Sequence, residues 1–180
     1  MLELAGAAVR GGADVVQLRH KSMPRGELLA LARELRELIR DALFVVNDHV
    51  DIALLAGADG VHLGPDDISL ASARRVAGDR LRIGVSASTA DAVPAGADYV
   101  GCGPAFATPL KPQKKVVGPA GIASLAAEVK LPVFAIGGID ESNIDQLTAI
   151  GIRRVCVIRA VSEAADPEQA CRRLRAMLAG

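Results

Sequence analysis

The chain contains 180 residues, of which 51% are hydrophobic and 23% are charged, so it can bury a sizeable core and intrinsic disorder is excluded. Lys and Arg together number 21, as do Asp and Glu. The resulting zero net charge argues against nucleic acid or an anionic membrane as the main partner, because both favour a basic excess. We predict a single domain spanning residues 1–180.

The N-terminal residues contain no long apolar segment, so the sequence predicts neither a signal peptide nor a membrane-spanning helix. The cysteines are odd in number and lack the spacing of metal ligands. They are Cys102, Cys156 and Cys171. We therefore predict a cytoplasmic protein with reduced thiols, and we leave open whether it forms a homo-oligomer.

Short apolar runs bounded by Gly and Pro alternate with longer amphipathic stretches, a pattern typical of strands buried on both faces, as in a parallel sheet covered by helices. The predicted strands are residues 14–18, 43–46, 60–63, 82–85, 99–101, 133–136 and 154–158. The predicted helices are residues 2–10, 25–40, 50–55, 70–76, 89–95, 122–128, 142–150 and 167–178. The triplet Gly-Ala-Asp precedes three of the strands, at positions where a glycine ends a helix.

These elements form seven strand-plus-helix units behind one leading helix, which is one strand fewer than a TIM barrel requires. The alternative is an open, doubly wound sheet. We favour an α/β fold of the TIM (β/α)8 type that lacks its first strand and has seven parallel strands. The units are similar in length, and polar residues follow strand after strand, as they do where barrel strands converge on one site.

The first strand ends in Gln17, Arg19 and Lys21, which alternate and therefore share one side of an extended segment. Two cations and an amide after an apolar run predict an anion site. The alternative is a strand end that simply reaches solvent. Asp48 and Asp67 follow the next two strands and predict a Mg²⁺ site, although each aspartate would also suit a helix N-cap.

The segment from Gly101 to Gly118 has no helical period and contains several lysines, which is typical of an active-site lid. Gly137 and Gly138 end the sixth strand, where paired glycines let backbone N–H groups approach a phosphate. Ser86 ends the fourth strand and suits either a ligand contact or a helix cap. The three histidines, His20, His49 and His62, are interpreted as structural or exposed.

Taken in order, these motifs resemble thiamine phosphate synthase. The resemblance rests on QLRHK at 17–21, NDHVDIALLAGADGVHLGPDD at 47–67, GVSAST at 84–89, GADYVGCGPAFAT at 96–108 and AIGGI at 135–139. The segment 47–67 is the most specific of these motifs. The resemblance covers nearly the whole chain and implies the joining of a pyrimidine diphosphate to a thiazole phosphate, with diphosphate as the leaving group.

The same resemblance implies the residue roles. The diphosphate ligands would be Arg19, Lys21, Asn47 and Lys111, of which the three cations would be catalytic. Mg²⁺ would be held by Asp48 and Asp67. The pyrimidine would contact Gln17 and Ser86. The thiazole phosphate would be held by Thr108, Gly137, Gly138, Arg159 and Ala160, the last two in a turn.

The chain departs from the family pattern at Ser88, where the family usually has histidine, at Leu110, where it has threonine, and at Arg159, where it has serine. Two alternatives follow. A thiazole tautomerase-like enzyme resembles the chain near Asn47, but it would use the histidine missing at Ser88 and usually lacks counterparts of Gln17 and Asp67. A non-catalytic paralogue that binds phosphate ligands is the other. The family's first strand also has no counterpart here.

Overall fold

The computed structural model describes residues 1–108, 113 and 115–179. The helices are α1 Leu2–Arg10, α2 Arg25–Leu38, α3 Val50–Ala56, α4 Leu70–Ala77, α5 Gly118–Glu128, α6 Asp145–Thr148, α7 Arg159–Ser162 and α8 Pro167–Ala179. The strands are β1 Val15–Leu18, β2 Leu43–Asn47, β3 Gly60–Leu63, β4 Arg82–Ser86, β5 Tyr99–Cys102, β6 Val133–Ile136 and β7 Val155–Cys156. None of the helices in these ranges is both long and apolar enough to cross a membrane.

The seven strands form one parallel sheet in the order β1-β2-β3-β4-β5-β6-β7. A doubly wound sheet would reverse its strand order at a switch point, so that alternative is wrong. Within the described ranges β1 pairs only with β2 and β7 only with β6, which leaves a gap between the two ends. The prediction of a TIM-type barrel that lacks one strand is confirmed.

The helical layer closes where the strands do not. The end of α1 lies against α8 so closely that a Cβ on Gly11 would lie 2.5 Å from the Cβ of Cys171 and 2.6 Å from the Glu168 carbonyl oxygen. Arg10 also forms an ion pair with Glu168 at 2.8 Å. Only glycine fits this contact, so Gly11 joins the first helix to the last across the gap in the sheet.

The two faces of the sheet differ in character. One face carries fully buried aliphatic residues such as Val46, Val61, Ile83 and Val100, which pack under the helices. The strand register places the other alternating set on the opposite face, which lines the barrel interior. This set contains Gln17, Asn47, Gly60, His62, Gly84, Ser86, Tyr99 and Gly101. The helices therefore cover one face of the sheet, and the other face lines a more polar interior, as in a barrel.

The aspartates of two Gly-Ala-Asp triplets connect neighbouring strands through hydrogen bonds, at the end of the barrel where the strands begin. Asp59 accepts a hydrogen bond from the Phe44 backbone N–H at 2.7 Å and pairs with Arg36 at 2.7 Å. Asp98 accepts a hydrogen bond from the Ile83 backbone N–H at 2.6 Å and forms an ion pair with Arg74 of α4 at 2.7 Å. The third, Asp14, pairs with Arg175 of α8 and has no backbone donor within the described part of the chain.

We expect Asp59→Ala to destabilise the fold by about 1–3 kcal/mol, because it leaves a buried strand amide and a partly buried arginine without their acceptor. Asp14→Ala is the matched control, and its exposed ion pair predicts a loss below about 1 kcal/mol. Chemical denaturation measures both. Equal losses in the two variants would show that the aspartates do not fasten the strands.

Three predicted elements are shorter than expected by three or more residues. Residues 89–95 contain only the single 3-10 turn Ala90–Ala92, since Pro94 cannot donate a helical hydrogen bond and keeps the residue before it extended. The helix at 142–150 is reduced to α6, because the Asp140 side chain accepts bonds from the Ser142 backbone N–H and hydroxyl in a local turn. The strand at 154–158 is reduced to two residues at the open edge of the sheet.

Candidate active site

The ends of β1, β2 and β3 bring charged side chains together, as expected for the carboxyl ends of parallel strands. The Lys21 ammonium lies 3.9 Å from the Asp48 carboxylate. Gln17 and Arg19 are exposed on either side of the buried Leu18, which confirms their alternation. Among the described residues no ion pair or hydrogen bond involves the exposed Arg19 side chain.

Asp48 occupies a strained turn immediately after β2. Its φ of 67° is the only positive value among the described residues other than glycine. The turn is held by two backbone hydrogen bonds of 2.8 Å, from the Asp48 N–H to the His62 carbonyl and from the His49 N–H to the Asn47 carbonyl. Such a conformation is unfavourable for a residue with a Cβ, and it is typical of functional positions.

Neither aspartate caps a helix. The residue before α3 is His49, which makes no capping bond, and α4 is capped by Ser69, whose hydroxyl accepts from the Ser72 N–H at 3.2 Å. The Asp67 carboxylate accepts from the Gly64 N–H at 2.7 Å, which folds the loop after β3 back on itself. The N-cap interpretation of Asp48 and Asp67 is therefore wrong, and both side chains remain at the strand ends.

The two carboxylates lie within hydrogen-bonding reach of each other. Burial raises the pKa of Asp48, and the adjacent Asp67 raises it further through a shared hydrogen bond and its negative charge, while Lys21 and His49 oppose the shift. Two like charges in one small site favour binding of a proton or a dication.

An oxygen-only pair of this kind fits Mg²⁺, which is usually bound by one or two carboxylates together with phosphate oxygens. The described residues contain no cluster of three or more His, Cys, Asp or Glu side chains that could hold a metal without a ligand's help. The donors present therefore suit a hard cation that arrives with a phosphate ligand, and they do not suit a preformed structural metal site.

We expect the stability of the metal-free protein to depend on pH, because burial and the neighbouring Asp67 raise the pKa of Asp48. A carboxyl group whose pKa is raised by folding contributes stability below its ordinary value of 3.8 and loses that contribution as the pH rises through the raised pKa. Asp48→Asn removes the repulsion and keeps a residue type that tolerates positive φ. In magnesium-free buffer we expect the variant to melt at a higher temperature than the parent at pH 7.

The gain should shrink as the pH approaches 3.8, because the parent's Asp48 then becomes neutral as well. Differential scanning calorimetry at a series of pH values measures this difference. A constant difference between parent and variant across the series would contradict the electrostatic explanation.

The barrel interior contains a hydrogen-bonded row that the sequence interpretation missed. His62 Nε2 lies 2.9 Å from the Ser86 hydroxyl, and His62 Nδ1 lies 3.3 Å from the Tyr99 hydroxyl. The Tyr99 ring lies across Gly84, where a Cβ would fall 2.0 Å from the ring. Burial raises the pKa of Tyr99, so its hydroxyl stays protonated. His62 thus belongs to the interior of the site and positions Ser86.

The other two histidines are structural, as predicted. His20 Nδ1 accepts a hydrogen bond from the Met23 N–H at 2.9 Å, and a ring nitrogen of His49 lies 2.9 Å from the Arg25 guanidinium. A signal for the role of His62 does exist in the sequence. The alternation along the strands places four residues on one face of the sheet, namely His62, Gly84, Tyr99 and Gly101. Glycines beside ring side chains on such a face indicate that the rings extend across the barrel interior.

The loop after β5 lies directly on the paired glycines after β6. The Phe106 N–H donates to the Gly137 carbonyl at 3.0 Å, and the Ala105 N–H donates to the Ile136 carbonyl at 2.9 Å. This contact also sets the carbonyl oxygens of Phe106 and Ala107 against Gly138, and the role of Thr108 in a phosphate site stays a prediction. Lys111, together with Leu110 and the remainder of the predicted lid at 109–112 and 114, lies outside the described residues.

The paired glycines adopt conformations that other residues avoid, with φ of 94° at Gly137 and 69° at Gly138. The side-chain amide of Asn143 donates a hydrogen bond to the Gly138 carbonyl at 2.8 Å, which stabilises this turn. Arg159 differs from its prediction, because it begins α7 and does not lie in a turn. Its guanidinium bonds to Glu163 and does not extend over the glycines.

Residues 1–161 match the family described as thiamine monophosphate synthase. The chain belongs to this family. Members of the thiamine monophosphate synthase family similar to it include the "Thiamine-phosphate synthase" of Thermosynechococcus vestitus, 46% identical over 180 residues, and that of Gloeobacter violaceus, 45% identical over 173 residues. The matches cover 97% and 93% of this chain, which spans about half the length of each relative, 51% in both cases.

A solved structure shows the same likeness. The thiamine phosphate pyrophosphorylase from Pyrococcus furiosus is 38% identical and superposes with a TM-score of 0.92, covering 99% of this chain and 89% of its own. The seven-stranded α/β architecture described above is therefore shared with a solved structure of that name.

Proposed function

We propose that the chain is a thiamine phosphate synthase, a transferase that joins hydroxymethylpyrimidine diphosphate to a thiazole phosphate and releases diphosphate. The observation that carries this proposal is the meeting of Lys21, Asp48 and Asp67 at the ends of three adjacent strands. A Mg²⁺-diphosphate group is the ligand whose charges match two carboxylates with flanking cations. The names of the relatives support the same reaction.

The reaction breaks the bond between the pyrimidine methylene carbon and the diphosphate oxygen. Negative charge then develops on the leaving group, and the exposed cations Arg19 and Lys21 would neutralise it. Lys111 has the same proposed role. Asn47 would donate a hydrogen bond to the diphosphate. When bound between Asp48 and Asp67, Mg²⁺ would supply a further positive charge to the departing oxygens.

The thiazole nitrogen would capture the pyrimidine cation, so the protein's task is to hold the two rings together and no general base is required. Gln17 and Ser86 lie on the interior face and would orient the pyrimidine, with His62 fixing the Ser86 hydroxyl. Thr108, Gly137, Gly138 and Ala160 would hold the thiazole phosphate by hydroxyl and backbone groups.

The tautomerase alternative has less support, because its reaction needs a proton-transfer group where Ser88 stands exposed. The non-catalytic alternative is favoured by one observation. The gap between β7 and β1 leaves Gln17 exposed, so water can reach the interior face at that edge.

Incubation of the purified chain with both substrates and Mg²⁺, followed by chromatographic detection of thiamine phosphate, tests the proposal. We expect product only when both substrates are present, and none with a chelator. Binding of the substrates without product would favour the non-catalytic alternative, and conversion of a thiazole carboxylate phosphate tautomer would favour the tautomerase.

A further inference from the structure

The hydroxyl of Tyr99 makes one hydrogen bond within the described part of the chain, to Nδ1 of His62 at 3.3 Å. Burial raises the pKa of Tyr99, so its oxygen keeps its proton at neutral pH. An O–H group that is withdrawn from water and has no acceptor costs free energy. The hydrogen bond is therefore satisfied when Tyr99 donates and His62 Nδ1 accepts.

This direction decides which nitrogen of the neutral His62 ring carries the proton. A neutral imidazole has one N–H, so a ring that accepts at Nδ1 donates from Nε2. The Nε2 atom lies 2.9 Å from the Ser86 hydroxyl oxygen, which then accepts. The Ser86 side chain is exposed and makes no other hydrogen bond among the described residues. Its own proton therefore stays available to a ligand in the barrel interior.

The ring of Tyr99 is held in place by two neighbouring strands. It lies across Gly84 of β4, where any side chain would meet the ring, and its edge packs against Phe134 of β6 with the ring centroids 5.5 Å apart. Glycine at this position allows the ring to extend across the interior face. The hydroxyl is thus fixed beside His62 by packing, and its hydrogen bond is not needed to orient the ring.

We propose that Tyr99 is a positioning residue that sets the tautomer of His62 and thereby makes Ser86 a hydrogen-bond donor that selects a ring nitrogen of the pyrimidine. The inference rests on the proposed function, which sets the pyrimidine against Ser86. An aminopyrimidine offers acceptors at its ring nitrogens and donors at its amino group. A hydroxyl with an unused proton favours a ring nitrogen, whereas the opposite tautomer would consume that proton and favour the amino group.

The ¹⁵N NMR spectrum of the histidine rings tests the tautomer at an alkaline pH where the rings are neutral. The chain contains three histidines, and the signals of His62 are those that disappear in His62→Gln. We expect the proton on Nε2 in the parent. Tyr99→Phe keeps the ring and removes only the hydroxyl, so both tautomers should be populated. A proton on Nδ1 in the parent, or an unchanged Nε2 tautomer in the variant, would refute the role of Tyr99.

Steady-state kinetics separate this role from a structural one. Tyr99→Phe should raise the KM for the pyrimidine diphosphate about three- to tenfold, because a neutral hydrogen bond to the ring is weakened, with kcat and the KM for the thiazole phosphate little changed. Ser86→Ala should raise the same KM at least as much. In that background Tyr99→Phe should add nothing, because it acts through Ser86. Additive effects would show that Tyr99 acts through packing and would refute the proposal.

Two substrate analogues, each with one ring nitrogen replaced by C–H, test the selection. By calorimetry with Mg²⁺ we expect the parent to bind one analogue about three- to tenfold more weakly than the natural pyrimidine diphosphate, and Tyr99→Phe to reduce that difference. A parent that binds both analogues as tightly as the natural compound would contradict the selection. An active parent whose His62 carries its proton on Nδ1 refutes the role of Tyr99 alone, whereas a parent that forms no thiamine phosphate refutes the proposed function and the selection with it.

Discussion

Asp67→Asn is expected to lower the rate of thiamine phosphate formation by about 10²–10³-fold at a Mg²⁺ concentration that saturates the parent. The substitution keeps an oxygen acceptor for the Gly64 N–H, a bond of 2.7 Å in the parent, so the loop after β3 should retain its shape. It removes one of the two negative charges that the dication requires. Steady-state rates measured over a Mg²⁺ titration check the expectation.

Asp66→Asn is the matched control, since it makes the same chemical change at the preceding exposed position. We expect its rate and its Mg²⁺ requirement to remain those of the parent. Raising Mg²⁺ should recover part of the Asp67→Asn activity, because the remaining carboxylate still attracts the ion. A parent-like Mg²⁺ titration for Asp67→Asn would contradict the two-carboxylate site.

Gly138→Ala is expected to destabilise the fold by about 2–4 kcal/mol and to abolish measurable thiazole-phosphate binding. A Cβ at this position would lie 2.7 Å from the carbonyl oxygens of both Phe106 and Ala107, which are backbone atoms that a side-chain rotation cannot move. The φ of 69° adds strain for any residue other than glycine. The loop that carries Thr108 would therefore separate from the turn.

Gly151→Ala isolates the contribution of this contact. Gly151 has a similar φ of 79°, and a Cβ there would meet nothing within 4 Å. Its substitution should cost about 1 kcal/mol through backbone strain alone and should leave thiazole-phosphate binding unchanged. Urea denaturation and calorimetry measure the two effects in both variants. Equal destabilisation by the two substitutions would mean that the contact between the loop and the turn does not hold.

The strand order and the strand count could be predicted from the sequence because they depend on local patterns. Apolar runs between Gly and Pro located all seven strands, and the missing strand followed from the leading helix Leu2–Arg10. The charged ends of β1, β2 and β3 were also predictable, since polar residues that follow consecutive parallel strands meet at one edge. The pairing of Asp48 with Lys21 is the direct result.

The remaining features depend on contacts between distant residues. No local pattern shows that Asp48 adopts a positive φ, because the turn is held by the His62 carbonyl of another strand. The role of His62 itself required the strand register that sets it beside Ser86 and Tyr99. The direction of the Arg159 guanidinium depends on its ion pair with Glu163, which forms only when α7 brings the two residues together.

The measurement that tests the central claim most directly is a ³¹P NMR time course of the purified chain with hydroxymethylpyrimidine diphosphate, thiazole phosphate and Mg²⁺. We predict that thiamine phosphate and diphosphate appear together in equal amounts, and that neither forms when the thiazole phosphate is omitted. Diphosphate released without thiamine phosphate would show that water captures the pyrimidine cation, and no change in any resonance would show that the site does not catalyse the reaction. Either result would contradict the assignment as a synthase.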